Sequence, residues 1–303
     1  MPGASVVLER MKVMNKSLQQ RIVTAVILLI ALLAVTMLLS PMVFSIAIAI
    51  VVLLVSWEWS RLIGLERTNS RLLYVSTMLV MLLGAFVLLG VTPGATGIDV
   101  LRASLVLMLG LLWWLLAFVI LKGYPDNTPS WNDRSRIGLM GLLALVPTWV
   151  GVVLLKFLNP EGYLVISLII LVAAVDVGAY FAGTYFGRRK LAPALSPNKS
   201  WEGVIGGLFT CLLVGAGFIA AAHRYLAPLN LSQVLVLVLL CFITTYFAVV
   251  GDLVESMLKR NSKVKDSGQL LPGHGGFMDR VDGLVAVTPA YVLILVFTLF
   301  EME

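Results

Sequence analysis

The stretch LSQVLVLVLLCFITTYFAVVGDLVESMLKRNSKVKD, residues 231–266, decides the fold. No charged residue interrupts 231–251, and a helical run of that length crosses a hydrocarbon core of about 30 Å. Beyond it, Asp252, Glu255 and Lys259 stand at i, i+3 and i+7. A continuing helix therefore carries two carboxylates and an ammonium on one face at the end of the span. A solvated helix end with an ordinary Glu255/Lys259 pair would show the same spacing.

Comparable apolar runs fill the 303 residues, 60% of which are hydrophobic and only 13% charged, a composition that excludes a soluble globular enzyme. The runs lie near 22–39, 42–55, 72–91, 104–121, 137–157, 163–186, 203–222, 231–251 and 281–300. Backbone polar groups in lipid must be satisfied within the segment. The expected fold class is thus all-α, a polytopic integral membrane protein of about nine transmembrane helices, with Pro41 turning the first two into a tight hairpin. Three regions are expected: a basic segment 1–21, N-terminal helices over 22–160, and a catalytic transmembrane region over 161–303.

Lysine and arginine give the orientation, because short cytoplasmic loops retain them. The N-terminal segment and alternate loops hold 19 of the 22 basic residues, and the other loops only Arg102, Lys156 and Arg224. This places the N-terminus in the cytoplasm and the C-terminus outside. The first run follows a basic stretch but lacks a small-residue cleavage pattern, so it is expected to be a retained helix rather than a signal peptide. Cys211 and Cys241 fall inside expected spans and support neither a disulfide framework nor a thiolate metal site.

The first half is plain apart from the loop from Lys122 to Arg136 and Trp57-Glu58-Trp59, whose aromatics fit an interfacial belt; the sequence assigns Glu58 no role. Polar chemistry gathers after residue 170. In AAVDVGAYFAG, residues 173–183, Asp176 lies well inside a span. Near a helix centre an aspartate costs roughly 2.5 to 3.5 kcal/mol and should face protein or a hydrated cavity. It is either a buried group bonded to Tyr180 or another helix, or a functional carboxylate. Ala174, Gly178 and Ala182 would admit a neighbouring helix closely.

LSPNKSWEGVIGG, residues 195–207, puts Lys199 and Ser200 just before a helix start, a position that favours phosphate. The glycines of a nucleotide P-loop are missing, and Ser200 as an N-cap with Glu202 in the first turn is the plain alternative. LPGHGGFMDRVDG, residues 271–283, then opens the last run with Asp279 and Asp282 three apart. A cap and a turn account for only part of it. Asp176, Asp252 and Glu255 approach the same side, with Lys199, Lys259, Lys263, Lys265, Arg280 and His274. Carboxylates offer a hard oxygen site for Mg²⁺, the cations hold phosphates, and glycines let backbone come near both. Phosphoryl or nucleotidyl transfer uses all three together.

Ser256-Met-Leu-Lys-Arg, then Lys265-Asp266-Ser-Gly, then Leu271 through Asp282 resembles the signature of the phosphatidate cytidylyltransferases, also called CDP-diacylglycerol synthases. Asp176-Val-Gly-Ala-Tyr-Phe and Ser196-Pro-Asn-Lys-Ser-Trp-Glu-Gly resemble that family's upstream motifs, so the likeness is close over roughly 170–285. Val177 stands where the family usually carries Thr or Ser, and Asn198 and Ser200 where Lys and Thr are commoner.

The resemblance implies a bacterial inner-membrane enzyme, often a homodimer, with no nucleic-acid partner. It would convert CTP and phosphatidic acid to CDP-diacylglycerol and pyrophosphate with Mg²⁺ and a second cation such as K⁺. Its site would open to cytoplasm and lipid, as a soluble nucleotide and a bilayer lipid require. Asp252, Asp279 and Asp282 are expected to coordinate metal, with Glu255 and Asp176 in that shell or orienting its waters. Lys199, Lys259, Lys265 and Arg280 are expected to hold phosphates. Ser200, Ser256, Glu202, Asp266, Gly275 and Gly276 are expected to line the substrate, and His274 to make a phosphate or backbone contact. A CTP-dependent lipid kinase of the polyprenol type and an anionic-solute transporter are the competing readings.

Overall fold

The computed structural model describes residues 27, 30–225, 229–268 and 275–300. Eight helices among them are long and apolar enough to cross a membrane, as a polytopic membrane protein requires. They are α1 (Pro41–Leu62), α2 (Thr68–Leu89), α3 (Val100–Lys122), α4 (Arg134–Leu158), α5 (Tyr163–Phe186), α6 (Trp201–Tyr225), α7 (Leu231–Asn261) and α8 (Met278–Phe300). The first expected span, 22–39, is described at 27 and over 30–39, of which 30–38 are helical. A single helical turn, Thr128–Trp131, precedes α4.

The helix limits follow local chemistry. Pro41 sits at the start of α1, where its missing N–H is not needed, and the helix runs on through Trp59 to Leu62, well past the expected end at 55. Asp99 and Asp133 cap α3 and α4 by accepting the N–H groups of Arg102 and Ser135. Asn230 and Gln233 form a reciprocal capping box on α7. Gly90 ends α2 in the left-handed conformation at φ 71°.

One part of the all-α expectation needs correcting. Lys190–Ala192 (β1) and Ser196–Ser200 (β2) pair antiparallel in a small hairpin between α5 and α6. Pro193 and Pro197 bar a continuous helix here, and the short extended strands satisfy the backbone instead. The buried Leu195 anchors the turn, and its carbonyl accepts Arg260 Nε at 3.2 Å, fastening the hairpin to the end of α7.

Helix α4 is the most buried and runs through the middle of the bundle, packing on α1, α3 and α8. Thr148 Oγ1 donates across to the Val285 carbonyl of α8 at 3.1 Å, and a Cβ on Gly151 would lie 2.5 Å from the Thr288 side chain. Both halves of the chain therefore share one core. Two tryptophans close it: Trp149 Nε1 donates to the Ser45 carbonyl at 3.0 Å and Trp59 Nε1 to the Ile137 carbonyl at 2.9 Å. The expected interfacial belt does not hold for Trp59, which is fully buried because its indole N–H finds a carbonyl inside the bundle. Trp57 instead stacks beneath Arg71, 3.7 Å from the ring centre.

Helices α5 and α6 form a close hairpin of their own. A side chain on Gly206 would strike Ala182, and one on Gly207 would come within 2.8 Å of the Val175 carbonyl. Of the small residues expected to admit a neighbour, Gly178 meets Thr210 and Gly206 of α6 and Ala182 meets Gly206. Cys211 and Cys241 are free and buried, with Cys241 Sγ donating to the Cys211 carbonyl at 3.6 Å. Large apolar side chains left outside, such as Val87, Leu101, Phe209 and Leu235, form the surface that faces lipid.

Candidate active site

Helix α7 continues ten residues past Gly251, so the face carrying Asp252, Glu255 and Lys259 stays helical as its spacing predicts. Gly251 determines what meets that face. A Cβ there would come within 2.5 Å of the Asp282 carbonyl oxygen and 2.8 Å of the Ala286 side chain, so only hydrogen lets α8 lie this close. The contact brings Asp282 beside Asp252. Carboxylate oxygens of Asp252, Glu255 and Asp282 all lie within 4.8 Å of one another.

Glu255 is 2% exposed. Its Oε2 accepts Lys259 Nζ at 2.9 Å, and its Oε1 has no hydrogen-bond partner among the described residues. Lys259 Nζ also donates to Asp279 Oδ1 at 2.8 Å. Asp279 is not part of the carboxylate trio: it accepts the backbone N–H of Gly276 at 2.9 Å and of Ser267 at 3.2 Å in addition to Lys259. It stands one lysine away, clasping the loop ahead of α8. Lys199, reaching over from β2, forms an ion pair with Asp252. Ser256 Oγ approaches Asp252 Oδ1 at 3.5 Å.

Around this centre the other expected residues separate into groups. Ser200 accepts the Gly203 N–H at 3.2 Å and so caps α6, and the Glu202 carboxylate accepts the N–H groups of Arg188 and Arg189. Both hold the hairpin to the helix. Asp176 on α5 is solvent-accessible, accepts no hydrogen bond among the described residues, and lies within electrostatic range of Asp252, Asp282 and Lys199. Gly275 takes φ 79° with Asp279 on one side and Asp266 on the other. Arg280 lies in the first turn of α8, and Lys265 in the loop after α7. Residues 271–273 and His274 lie outside the described residues.

Asp252, Glu255 and Asp282 converge on a small volume, and Lys199 and Lys259 offset only part of their charge. Like charges this close need a further cation to share a buried setting. The donors are hard carboxylate oxygens, and the unpartnered Glu255 Oε1 is free to serve, so the residues fit Mg²⁺. Glu58, to which no sequence motif assigns a role, lies 220 residues from its partner Met278 in the chain. Its Oε2 accepts the Met278 N–H at 2.8 Å and Ser267 Oγ at 3.3 Å, beside Gly268 and Gly276. The available signal was its type and place: the only acid of an apolar helix, between two tryptophans.

A cation-ready carboxylate cluster with flanking lysines, at one end of a bundle of membrane helices, defines a membrane-embedded transferase acting on phosphate groups. The chain belongs to the cytidylyltransferase family, whose sequence profile, described as "Cytidylyltransferase family", matches residues 19–298. It is 42% identical over 278 residues to a phosphatidate cytidylyltransferase of Pseudomonas aeruginosa, covering 92% of this chain and 97% of that one. It is 37% identical to the phosphatidate cytidylyltransferase of Haemophilus influenzae, covering 93% of this chain and all of the other. The Mycobacterium leprae protein of the same name is 44% identical over a shorter stretch, 156 residues covering 50% of this chain and 47% of that one.

Proposed function

We propose that this chain transfers the cytidylyl group of CTP to phosphatidic acid, giving CDP-diacylglycerol and pyrophosphate for phospholipid synthesis. The observation that carries the reading is the convergence of Asp252, Glu255 and Asp282 beside Lys199 and Lys259, in a chain similar end to end to proteins of that name. The distribution of basic residues supports an N-terminus in the cytoplasm, a C-terminus outside and a site facing the cytoplasmic side of a bacterial inner membrane. A homodimer accords with the family.

A phosphatidate oxygen forms the new bond to the α-phosphorus of CTP as the bond from that phosphorus to the bridging oxygen of the β-phosphate breaks; pyrophosphate carries away the electron pair. The nucleophile is already an anion, so no strong general base is needed. Lys199 and Lys259 neutralise charge on the phosphates, and Gly275, with no side chain, allows close backbone approach. Asp252, Glu255 and Asp282 would hold Mg²⁺, which supplies Lewis-acid neutralisation of the phosphate oxygens when bound. Asp176 leaves further negative charge nearby for a second cation such as K⁺.

The test is to incubate the purified protein with phosphatidate vesicles and CTP labelled in the α-phosphate, with and without Mg²⁺. Label should enter the lipid only with Mg²⁺, with one pyrophosphate released per lipid. Label that stays in solution, or lipid gaining a phosphate with release of CDP, overturns the reading.

A further inference from the structure

Glu58 is the only acid of α1 and is 1% exposed, buried in the last turns of the helix, which ends at Leu62. A carboxylate so placed is retained only if something compensates it. Two groups do. Met278 is the first residue of α8, and its N–H, which has no partner within its own helix, donates to Glu58 Oε2 at 2.8 Å. The positive end of the helix dipole adds to that attraction. The Ser267 hydroxyl, itself fully buried, donates to the same oxygen at 3.3 Å.

These partners sit at opposite ends of one loop. Ser267 and Gly268 lead into it and Gly276 to Met278 lead out, and both glycines press on the Glu58 carboxyl so closely that a Cβ on either would collide with its oxygens or their immediate neighbours. From the other side the Asp279 carboxylate accepts the N–H groups of Ser267 and Gly276. The two ends of the loop are therefore clamped between two carboxylates, Glu58 below and Asp279 above. Asp279 continues through Lys259 to Glu255 of the metal-ready trio.

The lower jaw is itself fixed. Ser262 Oγ, just past α7, donates to the Leu62 carbonyl at 2.8 Å, and Trp59 Nε1 ties α1 to α4. Arg61 Nη1 reaches the Ser267 carbonyl at 3.5 Å.

We infer that Glu58 is a positioning residue of the transfer reaction: from α1 it clamps Ser267 and Gly268 on one side and Gly276 and Met278 on the other in register with the Asp252, Glu255 and Asp282 cluster. It touches no substrate and acts through the loop backbone and Asp279. The inference rests on the proposed transferase reading and gives the N-terminal helices a direct part in it.

The experiment uses the full chain in nanodiscs, with Glu58→Ala, Glu58→Asp, Glu58→Gln and Ser267→Ala compared with the parent. Transfer kinetics are read at saturating phosphatidate, and amide exchange is read for peptides covering 262–282 and, separately, α2 and α3. A misplacement of about 1 Å costs on the order of a hundredfold, so Glu58→Ala and Glu58→Asp should lose that much kcat/KM for CTP, Ser267→Ala about tenfold. Glutamine can put its oxygen where Oε2 lies, so Glu58→Gln should stay within about fivefold. Exchange should rise in 262–282 and not in α2 or α3.

If Glu58→Asp and Ser267→Ala turn over like the parent, or if exchange rises equally throughout the bundle, Glu58 is not a positioning residue. Should Glu58→Ala fail to fold, the aspartate and serine variants decide. If the parent itself labels no lipid, the transferase reading fails, and the exchange pattern still reports whether Glu58 holds the loop.

Discussion

Gly251 of α7 lies against the backbone of Asp282 in α8, with room for hydrogen and nothing larger. That contact, rather than any side-chain bond, brings the carboxylates of the two helices together. Replacing Gly251 with Ala inserts a methyl group into a backbone that cannot rotate away. Transfer should fall by about a hundredfold, and unfolding in detergent should show a destabilisation of about 1–3 kcal/mol. Parent-like activity would mean that the helices are not held this closely.

Lys259 serves two acids at once, Glu255 and Asp279. Lys259→Met keeps the apolar stem and leaves Glu255, 2% exposed, without its cation. Breaking a buried pair by removing one partner costs about 3–5 kcal/mol. The variant should melt well below the parent and should recover part of that loss when Mg²⁺ is added, since ligand binding to the folded state adds stability. A melt unaffected by the substitution would contradict the buried pairing.

The acids should differ in how they depend on metal. Asp252→Asn, Glu255→Gln and Asp282→Asn each remove an oxygen from the trio and should raise the Mg²⁺ needed for half-maximal transfer by about tenfold or more. Asp279 is occupied by Lys259 and two backbone N–H groups. Asp279→Asn should abolish most turnover while shifting the Mg²⁺ requirement far less. A Mg²⁺ titration of the four variants checks this; an equal shift for Asp279→Asn would put that residue among the ligands.

Ser200 caps α6 and is buried. Ser200→Ala should cost about 1 kcal/mol of stability, the usual penalty for a lost cap, and leave transfer within a few-fold of the parent. Loss of turnover without loss of stability would assign the hydroxyl to substrate instead.

What could be read before the structure was mostly periodic. The spacing of Asp252, Glu255 and Lys259 already implies one helical face, and the observed Glu255 to Lys259 bond is its direct expression. Partners that are backbone atoms of distant segments carry no such trace. Asp279 is engaged by N–H groups of Ser267 and Gly276, and any residue at those positions except proline offers an N–H. The small hairpin around Leu195 leaves little trace in the sequence because strands of three and five residues, the second with a proline, look like loop, and the Arg260 that fastens it is 65 residues away. The burial of Trp59 leaves no trace in the sequence, because composition cannot say which face of a helix meets lipid.

The separation of 220 residues between Glu58 and Met278 also has a meaning in time. During synthesis α1 must enter the bilayer carrying an acid, near the helix end, whose partners do not yet exist. Every helix from α2 to α7 is made while that acid waits. Only when α8 arrives is it covered, so the step that satisfies this acid is the same step that brings Asp282 to Asp252 and Glu255.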